Sequence, residues 1–512
     1  MPSSIVHGRY LVTRAREEGS TIIEHGALYQ RDGVIVDVGP FRDIAGRYTA
    51  DHVIGGREFI VLPGLVNAHH HGRGVSTFLL GTADSPLEVW TVLGWARRPI
   101  DQYLQGLYTA AQLLESGTTT LMYNHPTSGP FDQLDDEIHD SMRAYEQAGL
   151  RVALSVLVRN QNRTVYAADE EFLATLPQEL AGVARERLET TRIPDDEYFD
   201  LFRRLYGRYA LDPRHRTRVL LSPANVQWCT DDFLARTREV AREFQTGIHI
   251  HLAETIYQKE YALRTWGKTP AAHLMDLGFL GPDLSCAHGV WLTEEDIGLL
   301  AATGTAICHN PSSNLRLRSG VAPVRAMLER GVTVAIGTDS TSFADDDDLF
   351  QEVRLADRLH RLPGIGQPPL SSHRLLEMAT AAGAHVTCFG REVGALEPGR
   401  RADAVLVRLE RIMEPWATPE TDVIEALVHR ARADDVDTVL VDGRVVVRHG
   451  RHVGIDRQEV VRALKEQLAR EPGEVWRQRV HMAHALIPYI ERFYATWLPR
   501  GLEPFYLYNS RV

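Results

Sequence analysis

The hydrophobic rhythm of the chain changes twice. From residue 1 to about 62, short apolar runs alternate with polar positions and turns, the period-two pattern of half-buried strands. In GALYQRDGVIVDVG the runs flank Arg31-Asp32-Gly33, and Asp-Gly is a hairpin-turn pair. The same pattern returns in RADAVLVRL and DTVLVDGRVVVRHGRHV, the latter broken at Asp442-Gly443. Strand-rich ends around a different middle predict one small β-domain assembled from residues 1–62 and 391–455.

Between these ends, strand-like runs alternate with amphipathic helical stretches such as PIDQYLQGLYTAAQLLESG and TDDFLARTREVAREFQ. Eight strand runs can be counted: FIVLPGLVNAHHH, then residues 118–124, 151–158, 218–226, 247–254, 284–290, 304–310 and 332–340. Eight βα units predict an α/β fold, a (β/α)8 TIM barrel over residues 63–390. A doubly wound open sheet would carry a glycine-rich phosphate turn after its first strand, and none is present. An insertion at about 159–217 contains two helix-like stretches and reads either as a lid or as a padded surface loop. Residues 456–512 form a helical C-terminal tail with Val460, Leu464 and Leu468 on one face, packed on the barrel or on a partner subunit. The full expectation is a TIM barrel, a small β-sandwich domain from both chain ends, and this tail.

Composition narrows the function classes. A formal net charge of -12, from 56 basic and 68 acidic side chains, lacks the concentrated positive charge of a nucleic-acid surface. No apolar run is long enough to span a bilayer, and no basic stretch leads into an apolar one near the start. The four cysteines, Cys229, Cys286, Cys308 and Cys388, show no paired spacing. These features predict a cytoplasmic protein with no nucleic-acid or membrane partner; a small-molecule substrate and self-association into a dimer or tetramer are further expectations for the chain. Only three lysines occur, Lys259, Lys268 and Lys465, against a large excess of arginine; genome composition alone can produce that bias.

Chemistry-bearing residues fall at the C-terminal ends of the predicted strands, where barrel enzymes build active sites. The first strand ends in Asn67-Ala68-His69-His70-His71. Side chains alternate along a strand, so His69 and His71 share a face at about 6.5 to 7 Å between Cα atoms and can share one metal, while His70 faces elsewhere. The fifth run reads His249-Ile250-His251-Leu252-Ala253-Glu254. His251, nearest the strand end, is the better third ligand, and His249 lies deeper. Glu254 follows where the chain leaves the strand and can approach a bound water without ligating. The sixth run ends in Ala287-His288-Gly289 and the eighth in Gly337-Thr338-Asp339-Ser340. An aspartate after an apolar run is commonly a helix cap, but beside three histidines at matching barrel positions Asp339 reads as a ligand. Three imidazoles and a carboxylate suit one divalent metal, Zn2+ or alternatively Fe2+.

The ordered motifs PGLVNAHHH, HLAET, AHGVWL, HNPSSNLRL and GTDS, with VGALEPGRRADAVLV after them, resemble the cytosine deaminase and chlorohydrolase branch of the amidohydrolase superfamily over residues 1–455. That branch includes guanine and S-adenosylhomocysteine deaminases and triazine hydrolases. The resemblance implies that His69, His71, His251 and Asp339 ligate the metal and that Glu254 shuttles a proton. His288 would hydrogen-bond the attacking water or the substrate, and Asp339 would also take the water's proton. Binuclear members use a carboxylated lysine after the fourth strand, and residues 72–250 contain no lysine, which points to one metal. His70, between the two ligands, and the long aromatic tail depart from the commonest pattern. The expected reaction is hydrolytic deamination of a heterocycle. The alternatives are cleavage of a carbon-chlorine, N-alkyl, amide or urea bond at the same centre, and, furthest off, a non-catalytic scaffold. Loops at the strand ends offer Trp90, Trp95, Asn124, His125, Gln227, Trp228, Asn310, Ser312 and Asn314 as substrate contacts or packing residues.

Overall fold

In the computed structural model, residues 3–127, 129–212 and 216–498 are described. The eight predicted runs become barrel strands Leu65–His70, Thr118–His125, Arg151–Val158, Thr217–Pro223, Ile248–Leu252, Leu284–His288, Ala306–His309 and Val334–Ile336. They lie side by side in chain order and pair in parallel. Every residue of the second and third strands is buried, as a sheet covered by helices on one face and filled on the other requires. The first and last strands meet beyond the eighth: His71 N–H donates to Asp339 O at 2.7 Å and Asp339 N–H to His69 O at 2.9 Å. The protein is a (β/α)8 barrel, and the seam that closes it runs through three of the expected ligands, His69, His71 and Asp339.

Both chain ends join a second, separate sheet of nine strands, with the N-terminal and C-terminal contributions meeting where His52–Pro63 pairs antiparallel with Ala404–Arg408. Its two Asp-Gly turns are formed as the sequence predicts, with Asp32 and Gly33 at φ +55° and +80° and Asp442 and Gly443 at +48° and +69°. Arg151, at the start of the third barrel strand, ties the two sheets together. Its guanidinium donates to Asp403 at 3.0 and 3.1 Å and to Asp442 at 2.7 Å.

The insertion divides into two parts. Helix Asp195–Leu205 buries Tyr198, Phe199 and Phe202 against Phe233 and Phe244 in the main core. The Tyr198 hydroxyl donates to Val156 O and accepts from Ser222 N–H, between the third and fourth strands. This segment is therefore the barrel's own third helix. Helices Asp169–Leu173 and Gln178–Thr190 instead share an apolar cluster with the C-terminal helix Glu474–Tyr494. The Tyr494 hydroxyl accepts from Tyr166 N–H at 3.0 Å, and Arg264 donates to Thr496 O and Trp497 O. The tail thus packs on its own barrel; residues 499–512, with the last of its aromatic side chains, lie outside the described residues. Among the described residues no helix is long and apolar enough to cross a membrane. The cysteines are unpaired.

Candidate metal centre

The barrel mouth gathers all six expected side chains into one buried cluster. His69, His71, His251, Glu254, His288 and Asp339 each retain at most 8% of their accessible surface. His69 is the hub, with ring centroids 4.8 Å from His71, 4.9 Å from His251 and 5.5 Å from His288. Two overlapping groups have their donor atoms within 4.8 Å of one another, His69 with His71 and Asp339, and His69 with His251 and His288. Asp339 and His288 reach inward from left-handed backbone at φ +63° and +76°, a conformation held only where the surroundings enforce it. Gly337 explains its own identity: a Cβ there would lie 2.5 Å from Asn310 Oδ1 and 2.8 Å from His69 N.

Hydrogen bonds fix which ring nitrogen faces the centre. His71 Nδ1 donates to Asn124 O at 2.8 Å and His251 Nδ1 to Ala224 O at 3.1 Å, so each Nε2 carries a lone pair. His69 Nδ1 is 2.8 Å from His249 Nε2. His69 Nε2 and Asp339 Oδ1 are buried without a hydrogen-bond partner, 3.6 Å apart, and His71 Nε2 is 3.3 Å from the same oxygen. Burial holds His69 below the ordinary histidine range and His71 and His251 well below it, which keeps all three imidazoles neutral. Burial alone would raise Asp339, but the neighbouring His69, His71 and His288 outweigh it and hold it well below its ordinary value, so it stays a carboxylate. Its Oδ2 accepts from Ser313 Oγ at 2.5 Å. Converging lone pairs on neutral imidazoles, a carboxylate oxygen and unpartnered buried atoms fit a divalent cation.

Glu254 Oε1 lies 3.8 Å from His288 Nε2, and burial pushes the Glu254 carboxyl up to about 7. Asn314 Oδ1 accepts from His288 Nδ1 at 2.8 Å and turns its Nε2 toward Glu254. His70 faces away, as alternation requires, with Nε2 3.2 Å from Asp347 Oδ1. Of the loop residues, Asn124 serves through its carbonyl and Asn314 through His288. Ser312 bonds to Glu352, and His125 Nδ1 pairs with the Tyr123 hydroxyl at 2.5 Å. Gln227 keeps both amide atoms buried and unpartnered. Sequence reasoning did not pick out Ser313; its place two residues after Pro311 in HNPSSN was the available signal.

The amidohydrolase family pattern matches residues 60–446. The chain belongs to the amidohydrolase family. As a member it is an enzyme, a hydrolase of a metal-dependent kind. It is 33% identical over 462 residues, 89% of its length and 96% of the relative's, to a 5-methylthioadenosine/S-adenosylhomocysteine deaminase of Syntrophomonas wolfei. A 5'-deoxyadenosine deaminase of Methanosarcina mazei is 31% identical, over 92% of this amidohydrolase and 99% of that protein. Among solved structures, an adenosine deaminase from Xanthomonas campestris with bound zinc superimposes with a TM-score of 0.77 at 26% identity. That match covers 93% of this chain and 98% of the other.

Proposed function

We propose that this amidohydrolase is a mononuclear deaminase that replaces the exocyclic amino group of a nitrogen heterocycle by oxygen and releases ammonia. His69, His71, His251 and Asp339 would hold one divalent ion, zinc in preference to iron, which when bound acidifies water so that hydroxide is available near neutral pH. Asp339 Oδ1, with no other partner, accepts the proton of the attacking water. Glu254 delivers a proton to the leaving nitrogen. His288, oriented by Asn314, hydrogen-bonds the attacking water or the ring as the trigonal carbon becomes tetrahedral.

The observation that carries this reading is Glu254. A buried carboxyl that titrates near neutrality can both hold and release a proton at working pH, which an amine leaving group needs. Relatives named as deaminases of adenosine derivatives support a purine as the ring. Aromatic walls suit such a flat ring, with Trp90 against Phe343 at 5.0 Å and Tyr166 against Trp228 at 5.8 Å between centroids. The test is ammonia release across adenosine derivatives, guanine, pyrimidines, pterins and aminotriazines. Ammonia from a purine, lost on chelation and restored by zinc, is the expected result. Release of chloride or an alkylamine from ring analogues, with no ammonia from any amino substrate, overturns it.

A further inference from the structure

Helix Leu349–Leu359, beyond the eighth barrel strand, carries a carboxylate that the chemistry above leaves unused. Glu352 is fully buried, and both its oxygens turn to Ser312, just after the seventh strand. Oε2 accepts from Ser312 N–H at 3.0 Å and Oε1 from the Ser312 hydroxyl. Among the described residues Glu352 forms no ion pair. Burial pushes its carboxyl up to about 7; the two Ser312 hydrogen bonds oppose the rise, and the nearby Asp346 and Asp348 add to it. A buried carboxylate without a cation is costly, and the two hydrogen bonds are what offsets that cost.

Ser312 is the second residue of helix Pro311–Arg316. The first N–H groups of a helix have no partner within it and are commonly capped by the side chain just before it. Here that side chain, Asn310, makes no cap. Its Nδ2 lies instead 3.4 Å from Cys308 O and from His288 Nδ1. Glu352 therefore caps the turn from another helix, with one oxygen for the backbone of Ser312 and one for its side chain. The next two residues reach the metal centre. Ser313 Oγ donates to Asp339 Oδ2 at 2.5 Å, and Asn314 Oδ1 accepts from His288 Nδ1 at 2.8 Å. Three consecutive residues thus link Glu352 to a proposed ligand and to the histidine beside Glu254.

We propose that Glu352 is a positioning residue of the active site: by holding Ser312 it sets the turn whose next two side chains fix Asp339 and His288. It acts through that turn, without itself touching the substrate or the metal. The inference rests on the proposed roles of Asp339 and His288, but not on which bond is cleaved. A shift of the turn moves both groups at once, and a misplacement of about 1 Å near the chemistry can cost on the order of 10²-fold in rate. Glu352→Gln keeps the side chain's size, but its amide nitrogen can only donate, so it meets one of the two Ser312 donors with a donor of its own.

The test compares the full-length parent with Glu352→Gln and Ser312→Ala by two readouts, kcat on the best substrate of the ammonia screen and zinc affinity by competition with a chelator. Glu352→Gln is expected to lose about 10- to 100-fold in kcat with KM little changed. Its zinc affinity is expected to fall by less than the roughly 10- to 100-fold that losing a direct partner of a ligand costs. Ser312→Ala, which removes only the hydroxyl donor, is expected to move both readouts the same way by less, and it decides the matter if Glu352→Gln does not fold. The two paths also couple. Once Ser313→Ala and Asn314→Ala have cut the turn from the centre, adding Glu352→Gln is expected to cost little further kcat. An equal cost in both backgrounds, or a lowered melting temperature with kcat and zinc affinity unchanged, makes Glu352 a stabilising cap and overturns the proposal. If the parent deaminates nothing, zinc affinity alone decides: a fall in the variants keeps the positioning role while the deaminase reading fails, and unchanged affinity removes both.

Discussion

His249 Nε2 lies 2.8 Å from His69 Nδ1, and the opposite edge of the His249 ring places Nδ1 2.7 Å from Ser285 Oγ. The Ser285 hydroxyl in turn reaches Ile248 O at 3.4 Å. A carbonyl can only accept, so the hydroxyl donates to it and accepts from His249 Nδ1–H. His249 Nε2 must then accept from His69 Nδ1–H. The row has one consistent direction, and it leaves the His69 lone pair on Nε2, the atom with no other partner.

His249→Phe keeps a ring of similar size and removes the acceptor. Metal affinity, measured by competition with a chelator, is expected to fall about 10- to 100-fold, the usual effect of losing a partner that orients a ligand. The folded protein is expected to persist, with unchanged far-ultraviolet circular dichroism. Unaltered metal affinity would show that the row is packing and nothing more.

The centre offers five candidate donor side chains, because His288 groups with His69 and His251 as closely as Asp339 groups with His69 and His71. If His288 acts on water or substrate and not on the metal, His288→Asn retains one metal per chain and loses turnover. Asp339→Asn is expected to abolish turnover as well, with lowered metal affinity. Elemental analysis of the parent and both variants separates the roles; two tightly held metals in the parent would remove the mononuclear assignment.

Much of this was readable along the chain because four of the barrel strands are buried runs that end in the chemistry: His69 and His71, His251, His288 and Asp339 all lie within a few residues of a strand terminus. Alternation alone placed His70 away from the centre, where Asp347 meets it. Other features depend on distant segments meeting in space. Helix Asp195–Leu205 read as part of an insertion because the helices before it, which pack with the tail, delay its appearance after the third strand. The direction of the His249 row required seeing Ser285 on the neighbouring strand.

Arg151 bridges the barrel to the terminal sheet with side chains of Arg151 and Asp403 each 2% exposed. Arg151→Met leaves Asp403 buried without its cation and Asp442 with more distant ones, Arg216 at 3.7 Å and Arg401 at 3.8 Å. A loss of about 3 to 5 kcal/mol is expected, since removing one partner of a buried pair strands the other. Adding Asp403→Asn should return part of it. Chemical denaturation of the three proteins checks this, and a melting curve indifferent to Arg151→Met would show that the two sheets are held by apolar contact alone.

Glu254 also links stability to pH in the metal-free protein. Burial raises its carboxyl from 4.5 to about 7 in the folded state. Between those values the folded protein keeps a proton that the unfolded chain has released, so stability falls as pH rises through that window. The penalty is absent below the lower value and complete above the higher one, at most about 3 kcal/mol. Glu254→Gln cannot ionise and escapes it. Metal-free parent and variant should therefore melt together near pH 4.5 and diverge toward pH 8, with the variant the more stable; a constant difference across that range would place the Glu254 carboxyl at its ordinary value.

The same substitution distinguishes a deaminase from an enzyme that releases a stable anion. An amine departs poorly unless it is protonated, whereas chloride needs no proton. Glu254, 3.8 Å from His288 Nε2 and three residues beyond His251, is close enough to the centre to serve the leaving group without being needed to hold the metal. Glu254→Gln is thus expected to retain its metal and to bind substrate. It should lose a factor on the order of 10² to 10⁴ in kcat on an amino-purine, the range of a general acid-base group. On the matched chloro-purine, where only the attacking water needs its proton removed and Asp339 remains to take it, the loss should be smaller. Rates on both compounds, for parent and variant at one pH, give the ratio directly. Equal losses on the two would place Glu254 on the attacking water, and loss of metal from the variant would make it a ligand after all.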